Sequence, residues 1–204
     1  MTEALEIRNQ FTPSEKFYSD EGWNREPIFK TLGLTKDTIV SIIPQPDSNM
    51  SLTACINGEP IGQCTANTWE FFLSQVPLNL FSIKKNQNKN VDKLVYLQEK
   101  MNNCEKDVLL PFLFNQGFTY SDIAHIHGLM VLQDYAQKGI GTKLVAEIDK
   151  LLQSQGYKVS VVETSNMKSR KTFEKNGYIE FAFFNLKDFE INFDDKYSIM
   201  YKIY

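Results

Sequence analysis

Apolar and polar residues alternate along this chain with two different periods, and the periods divide it into strands and helices. A run of period two at residues 5–9 predicts a first strand. Two apolar runs at 51–56 and 61–66 flank Asn57 and Gly58, a dipeptide typical of a tight β-hairpin. Later strands are predicted at 123–132, 158–163, 178–184 and 199–203.

Helical spacing is clearest just before Gly156, where apolar residues recur every three or four positions from residue 140 and the glycine supplies a stop. Residues 91–101 have the pattern of a second amphipathic helix. A third helix is predicted to begin at Ser165 or Asn166. Shorter helices are predicted at 14–18, 28–32 and 36–43.

The turn that joins the strand at 123–132 to the following helix contains Gly139, Gly141 and Lys138. The first amides of a helix have no intrahelical partner, and glycines let a phosphate approach them closely. Lys138 would add positive charge. The alternative interpretation is a turn that needs glycine only for its shape, and the segment 136–143 fits both.

Composition narrows the class of protein. The 204 residues suffice for one ordinary domain, which we expect to span 1–204 with a helical insert at about 84–122. A net charge of −3 gives no indication of a nucleic-acid or membrane-surface partner. Residues 1–10 are polar, no run is long enough to span a membrane, and three cysteines lack metal-ligand spacing. We therefore expect a cytoplasmic protein without a metal site.

Four motifs resemble, in order and separation, the GNAT superfamily of acyl-CoA-dependent N-acyltransferases. They lie at 127–131, 138–144, 161–165 and 173–178, and the hairpin at 51–66 also has a counterpart in that family. The resemblance implies an α/β fold with a mixed, mostly antiparallel central sheet. It further implies a V-shaped splay between the two central strands, and helices on both flanks.

Two shorter motifs are similar to the arylalkylamine N-acetyltransferases within that superfamily. His125 and His127 lie on the strand that carries two histidines in the vertebrate members. Glu26 and Pro27 resemble the step that carries the catalytic glutamate of the insect members. The resemblance implies acetyl transfer from acetyl-CoA, as co-substrate, to the primary amine of a small molecule in a ternary complex. The protein would be a monomer or a homodimer.

The resemblance also implies where acetyl-CoA binds. The central strand would pair with the pantetheine arm, the glycine turn would surround the pyrophosphate, and the start of the next helix would lie near the sulfur. The residues at these three places are Leu129, Met130 and Val131, then Gln137, Lys138, Gly139, Ile140, Gly141 and Thr142, and finally Ser165, Asn166 and Ser169.

Amine acetylation requires a proton acceptor, because alkyl amines are mostly protonated at neutral pH. Glu26 is one candidate, since a carboxylate before a helix can accept the proton directly or through water. His125 and His127 are the other, because residues two apart on a strand share a face and a neutral imidazole is a base near pH 7. Structural roles stay open for all three: a carboxylate that favours a helix dipole, and two half-buried histidines.

Two departures from the family pattern keep a non-catalytic, CoA-binding domain as an alternative. Phe173 stands where many relatives have a tyrosine able to protonate the thiolate, and Ala136 stands where relatives usually have arginine or glutamine. Ser165, Ser169 or Tyr178 are candidate substitutes for that tyrosine, and a thiolate can also leave unassisted.

The acceptor amine stays open at this stage, with a protein amine as one alternative. An arylalkylamine needs aromatic walls, for which Trp23, Phe112 and Phe114 are candidates, and the apolar stretch 108–120 either forms such a lid or completes the core. An aminoglycoside or polyamine needs an acidic pocket. The acidic candidates are Asp188, Glu190, Asp194 and Asp195.

Overall fold

The computed structural model describes residues 4–12, 48–70 and 89–204, which form a seven-stranded sheet flanked by helices. The candidates Trp23 and Glu26, and the short helices predicted at 14–18, 28–32 and 36–43, lie outside the described residues. The strands are β1 (Leu5–Asn9), β2 (Ser51–Ile56), β3 (Glu59–Thr68), β4 (Ile123–Val131), β5 (Val159–Thr164), β6 (Ile179–Asn185) and β7 (Lys196–Ile203), in the order β1-β2-β3-β4-β5-β7-β6.

The β2–β3 hairpin forms at the predicted dipeptide. Asn57 and Gly58 have φ values of 52° and 84°, and a two-residue turn with both values positive matches the right-handed twist of its strands. β1 pairs antiparallel with β2, and β3 pairs antiparallel with β4. The predicted strands in this half of the sheet are confirmed.

The strands β4 and β5 are the one parallel pair of the described sheet, and they separate part of the way along. Their register runs from Ile123 opposite Val159 to Ile126 opposite Val162. Beyond Ile126, β4 continues beside β3 as far as Val131, while β5 pairs with β7 through Thr164. The expected mixed, mostly antiparallel sheet with a V-shaped splay is therefore confirmed.

Four α-helices of the described ranges cover the sheet: α1 (Lys89–Cys104), α2 (Leu110–Asn115), α3 (Ile140–Ser154) and α4 (Met167–Lys175). A π-helical turn, Glu105–Leu109, joins α1 to α2 and is called the π-turn below. Pro111 lies in α2 directly after the π-turn, and the helical backbone is continuous there, since Leu109 and Leu110 both have right-handed helical φ and ψ values. That 1–204 make one domain with a helical insert at about 84–122 stays a prediction.

Each face of the sheet has its own apolar core. One face packs against α1, the π-turn and α2 through residues such as Leu97, Leu109 and Ile199. The other packs against α3 through residues such as Leu144 and Ile148. Among the described helices, none combines the length and the apolar character that crossing a bilayer would require. Both layers hold the sheet rigidly around the splay.

Candidate active site

The splay leaves one edge of β4 without a strand beside it among the described residues. On the opposite edge, Leu129, Met130 and Val131 lie across from Cys64, Gln63 and Gly62 of β3. The edge that faces β5 is therefore able to accept an extended ligand as an added strand. This is the edge that the sequence predicts for the pantetheine arm.

A β-bulge interrupts β4 next to the splay. Thr65 lies opposite Gly128 and Ala66 lies opposite Ile126, so His127 is an additional residue on β4. Bulges re-aim side chains and occur often beside active sites. The alternation that would place residues 125 and 127 on one face therefore does not apply across this position.

The two histidines lie in a low-dielectric environment. His125 is fully buried, and its ring centroid is 5.4 Å from that of Trp69. Burial lowers the pKa of His125 well below its usual range, and the nearby His127 lowers it further. Burial also lowers the pKa of His127, to about 4. Both imidazoles are thus neutral at pH 7, and both are weaker bases than a solvent-exposed histidine.

Two glutamates meet His125 and were not among the residues singled out in the sequence. Glu105, His125 and Glu163 each place one ligand atom within 4.8 Å of the others, and these three residues are called the carboxylate cluster below. Glu105 is fully buried, whereas Glu163 is half-buried. Their spacing is close enough to surround a single cation.

The electrostatics of the carboxylate cluster favour proton uptake. Burial raises the pKa of Glu105, and the charge of Glu163 raises it further. Burial also raises the pKa of Glu163, to about 7, although a hydrogen bond from Gln98 Nε2 to Glu163 Oε1 at 3.0 Å opposes this shift. Two buried carboxylates at this separation do not both ionise readily.

The glycine turn is open at the surface. Gln137 and Gly139 have φ values of 61° and 79°, and a Cβ placed on Gly139 would meet no atom within 4 Å. Lys143 N donates to Gly139 O at 3.0 Å in the first turn of α3, so the amides just before it have no intrahelical acceptor. Lys138 is exposed, with Nζ 5.3 Å from the centroid of the Tyr135 ring.

The remaining residues of this turn are held by packing. Ile140 is buried in the core under α3, so only its backbone faces outward. A Cβ on Gly141 would contact Thr172 Cγ2 at 3.7 Å, which is an ordinary separation. Asn176 Nδ2 donates to Thr142 O at 3.2 Å and ties the start of α3 to the end of α4. The glycine turn is therefore held by the core under α3 and by the end of α4, and its opposite side is accessible to solvent.

The start of α4 has the predicted cap. Asn166 precedes the helix in an extended conformation, and its Oδ1 accepts a hydrogen bond from Ser169 N at 2.9 Å. Ser165 and Ser169 are half-buried beside it. Asn166 Oδ1 already accepts the capping hydrogen bond, so the role of Asn166 is to fix the start of α4, directly after β5.

The candidates for protonating the thiolate differ in accessibility. Phe173 is buried and packs edge to face against Tyr178, with centroids 5.0 Å apart. The Tyr178 hydroxyl donates to Asp149 Oδ1 at 2.6 Å and lies 2.6 Å from Ser160 Oγ. Burial raises the pKa of Tyr178 well above its usual range. Tyr178 is therefore a structural residue of the core. The half-buried Ser165 and Ser169 remain the candidates for protonating the thiolate.

The acidic segment before β7 forms ion pairs with cations from other parts of the chain. Asp195 pairs with Arg170, Asp194 with Lys187 at 2.8 Å, and Glu190 with Lys93 at 3.8 Å. Three of the four acidic candidates are therefore engaged by cations of the chain itself. This pairing weakens the case for an acidic pocket at that segment.

The aromatic candidates lie at the surface of α2. Phe112 and Phe114 are 40% and 37% exposed, so neither of them is buried in the core. Phe112 packs against Phe181 and Tyr201. Tyr201 lies opposite Val161, in the part of the sheet where β4 and β5 are still paired.

Comparisons with known proteins bear on the class of this site. Residues 107–178 match the model of the acetyltransferase (GNAT) family. A search of curated proteins gives no match. The fold is similar to that of arylalkylamine N-acetyltransferase 2 from Aedes aegypti, with 19% identity, a TM-score of 0.68, and coverage of 98% of this chain and 99% of that one.

Two further solved structures have the same fold. One is a polyamine N-acetyltransferase from Drosophila melanogaster that forms N-acetylagmatine, with 14% identity, a TM-score of 0.64, and coverage of 98% of this chain and 100% of that one. The other is the mosquito arylalkylamine N-acetyltransferase like 5b, with 16% identity, a TM-score of 0.60, and the same coverage. The chain thus has the fold of these enzymes, and residues 107–178 carry the GNAT segment.

Proposed function

We propose, because this chain has the fold of GNAT acetyltransferases and residues 107–178 match that family, that it transfers an acetyl group from acetyl-CoA to the primary amine of a small molecule. The observation that carries the proposal is the position of two features on one strand. No strand of the described residues lies beside β4 on its β5 side beyond Ile126, and the open glycine turn follows the end of β4.

Acetyl-CoA is proposed to bind along these two features. Its pantetheine arm would lie beside Leu129–Val131, and its pyrophosphate would accept hydrogen bonds from amides between Gln137 and Thr142. The positive φ values of Gln137 and Gly139, and the space above Gly139, support that placement. Its sulfur would then lie near Ser165 and Ser169, at the open end of the splay.

The chemistry is attack of a free amine on the thioester carbonyl. The backbone amide of Leu129 or Met130, next to the bulge, is proposed to stabilise the oxyanion. The sequence candidates for the proton acceptor remain Glu26, His125 and His127, of which the two histidines are weakened as bases by burial. The thiolate is proposed to leave with a proton from a serine or unassisted, since thiols are acidic enough.

An arylalkylamine is the proposed acceptor class. Asp195, Asp194 and Glu190 are paired with Arg170, Lys187 and Lys93, which makes this segment less suited to a polycation. A polyamine or agmatine is the second candidate, because the fold is also that of an enzyme that forms N-acetylagmatine. A monomer or homodimer in the cytoplasm stays the expectation from sequence.

The experiment is an acceptor panel with acetyl-CoA, in which free thiol is followed together with the mass of the product. The panel contains phenylethylamine, tyramine, agmatine, putrescine and an aminoglycoside. We expect thiol release with the aromatic amines and a product that is one acetyl group heavier. Binding of acetyl-CoA without release for any amine would favour a non-catalytic CoA-binding domain and would contradict the proposal.

A further inference from the structure

The carboxylate cluster lies where the two central strands part. Glu163 directly follows Val162, the last residue of β5 that pairs with β4. His125 precedes Ile126, the last such residue of β4, and Glu105 is the first residue of the π-turn. π-turns interrupt helices at an energetic cost and occur often at functional sites. Three elements distant in sequence thus bring acceptor groups to the base of the splay.

The cluster contains buried acceptor oxygens that receive few hydrogen bonds from the described surroundings. Among the described residues, none donates a hydrogen bond to either carboxylate oxygen of Glu105, although this side chain is fully buried. Glu163 receives one hydrogen bond, from Gln98. A buried acceptor without a donor is costly, so the site is arranged for a cationic or protonated partner.

The carboxylate cluster has neighbours from the end of α1, the π-turn, β4 and β7. Cys104 and Lys106 flank Glu105 along the chain, and Lys106 is exposed to solvent. His127 approaches from β4, and Ile199 of β7, opposite Glu163, is apolar. The exposed lysine lowers the pKa of Glu105 only as the smallest of three influences. No other charged group among these residues competes for the cluster.

We propose that Glu163 holds the ammonium group of the acceptor amine at the base of the splay and accepts one of its protons, with Glu105 as a positioning residue behind it. This inference rests on the proposed function and assigns a residue of that same site. A primary ammonium donates hydrogen bonds and carries positive charge, and an ionised carboxylate accepts the one and balances the other. Glu105 lies close enough to act on Glu163, since the ligand atoms of the cluster lie within 4.8 Å of one another.

Glu163 is the member of the cluster that an incoming amine reaches. It is half-buried, whereas Glu105 and His125 are fully buried. Glu105 acts through Glu163, because Glu105 keeps its proton when Glu163 ionises, so that the pair presents one negative charge to the amine. A carboxylate that is desolvated in this way is a stronger base than the buried histidines beside it.

In the acetyl transfer, two protons leave the nitrogen and a carbon–nitrogen bond replaces the carbon–sulfur bond. The ammonium gives one proton to Glu163, and the nitrogen lone pair then forms a bond to the thioester carbonyl carbon. The carbon–sulfur bond breaks, and its electron pair leaves with the sulfur. The second proton of the nitrogen passes to the thiolate, which gives the thiol, and Glu163 later releases its proton to solvent.

The test compares Glu163→Gln, Glu105→Gln and the matched control Glu99→Gln, which changes an exposed glutamate on α1. The rate constant kcat/KM is measured against pH with the best amine of the panel, and acetyl-CoA affinity is measured by calorimetry. Glu163→Gln should lower kcat/KM at pH 7 by about 100-fold or more and abolish the acidic limb of the profile. Acetyl-CoA affinity should not change.

The other variants separate a chemical role from a structural one. Glu105→Gln should remain active with the midpoint of the acidic limb little changed, because the charge of Glu163 raises the pKa of Glu105, which is therefore still protonated when Glu163 ionises. Glu163→Asp should restore the limb with a reduced rate, and Glu99→Gln should match the unmodified protein. If Glu163→Gln keeps the limb and most of the rate, the inference fails while the proposed function stands.

Two further outcomes are distinguishable. If the unmodified protein binds acetyl-CoA but turns over no amine, the proposed function fails, and amine binding alone then tests the cluster. In that case an aromatic amine should raise the Tm of the unmodified protein and not that of Glu163→Gln. Stoichiometric binding of Mn²⁺ or Zn²⁺ that Glu163→Gln and Glu105→Gln each abolish would overturn the inference in favour of a metal site.

Discussion

Ile126 of β4 lies opposite Val162 of β5, and these are the last two residues at which the parallel central strands pair. The residues directly after them, His127 and Glu163, therefore flank the opening of the splay. One lies in a β-bulge, and the other belongs to the carboxylate cluster. The backbone break and the unusual side chains thus occur at the same point of the sheet.

The glycine turn gives the first prediction. Gly139→Val should raise the KM for acetyl-CoA by at least about tenfold, because the side chain would enter the open space proposed for the pyrophosphate. Steady-state kinetics with varied acetyl-CoA measure the effect. Gly156→Val is the matched control, since Gly156 also has a positive φ, 94°, and open space, but lies at the opposite end of α3. Equal effects of the two substitutions on KM would contradict the placement of the pyrophosphate at the glycine turn.

The histidines give a prediction about pH. Because burial lowers the pKa of His127 to about 4, this side chain is already neutral above pH 5 and cannot produce an acidic limb near neutrality. His127→Gln should therefore leave the midpoint of the kcat/KM profile unchanged. Glu26→Gln, measured in parallel, tests the candidate outside the described residues. A shift of the limb in His127→Gln would restore the histidine as the base.

Stability of the cluster should depend on pH with a defined sign. The folded pKa values of Glu105 and Glu163 lie above the unfolded value of 4.5, so their contribution to stability is present below pH 4.5 and is lost as pH rises through the folded pKa values. Glu105→Gln removes this loss. The Tm of Glu105→Gln relative to that of the unmodified protein should rise between pH 5 and pH 8. The rise should be about 2–4 °C for each kcal/mol gained in the free energy of unfolding. A difference in Tm that does not change with pH would contradict the buried pair.

Asp149 gives a prediction about the core that is independent of function. This buried carboxylate accepts hydrogen bonds from Tyr178 at 2.6 Å, Tyr204 at 3.0 Å and Lys202 at 2.7 Å. Asp149→Ala should lower the free energy of unfolding by about 3 kcal/mol, because it leaves a cation and two hydroxyls without their acceptor. Chemical denaturation measures the loss. Glu147→Ala, which breaks an exposed pair with Lys150, should cost less than about 1 kcal/mol.

Local signals predicted most of the described elements. Asn57 and Gly58 specify the hairpin because few other dipeptides adopt two positive φ values. Gly156 ends α3 in the left-handed conformation, and Asn166 caps α4, as their positions in the sequence indicate. These features depend on neighbours within a few residues, so a single sequence contains all the information they need.

The bulge and the carboxylate cluster could not be predicted in the same way. The position of His127 depends on the count of residues between β3 and β4, which only the register defines. Glu105 and Glu163 meet through tertiary packing of the π-turn on the sheet. A weak signal was present, since each carboxylate interrupts an apolar pattern: Glu163 in a β-branched strand, and Glu105 at the start of the π-turn, where the helical spacing of apolar residues in α1 continues.

The most direct test of the central claim is a crystal structure with CoA bound. We predict that its pyrophosphate accepts hydrogen bonds from amides between Gly139 and Thr142. We also predict that its pantetheine arm runs beside Leu129–Val131, with the sulfur near Ser165 and Ser169 at the open end of the splay. CoA bound away from the glycine turn, or with its pantetheine arm outside the splay, would contradict the account.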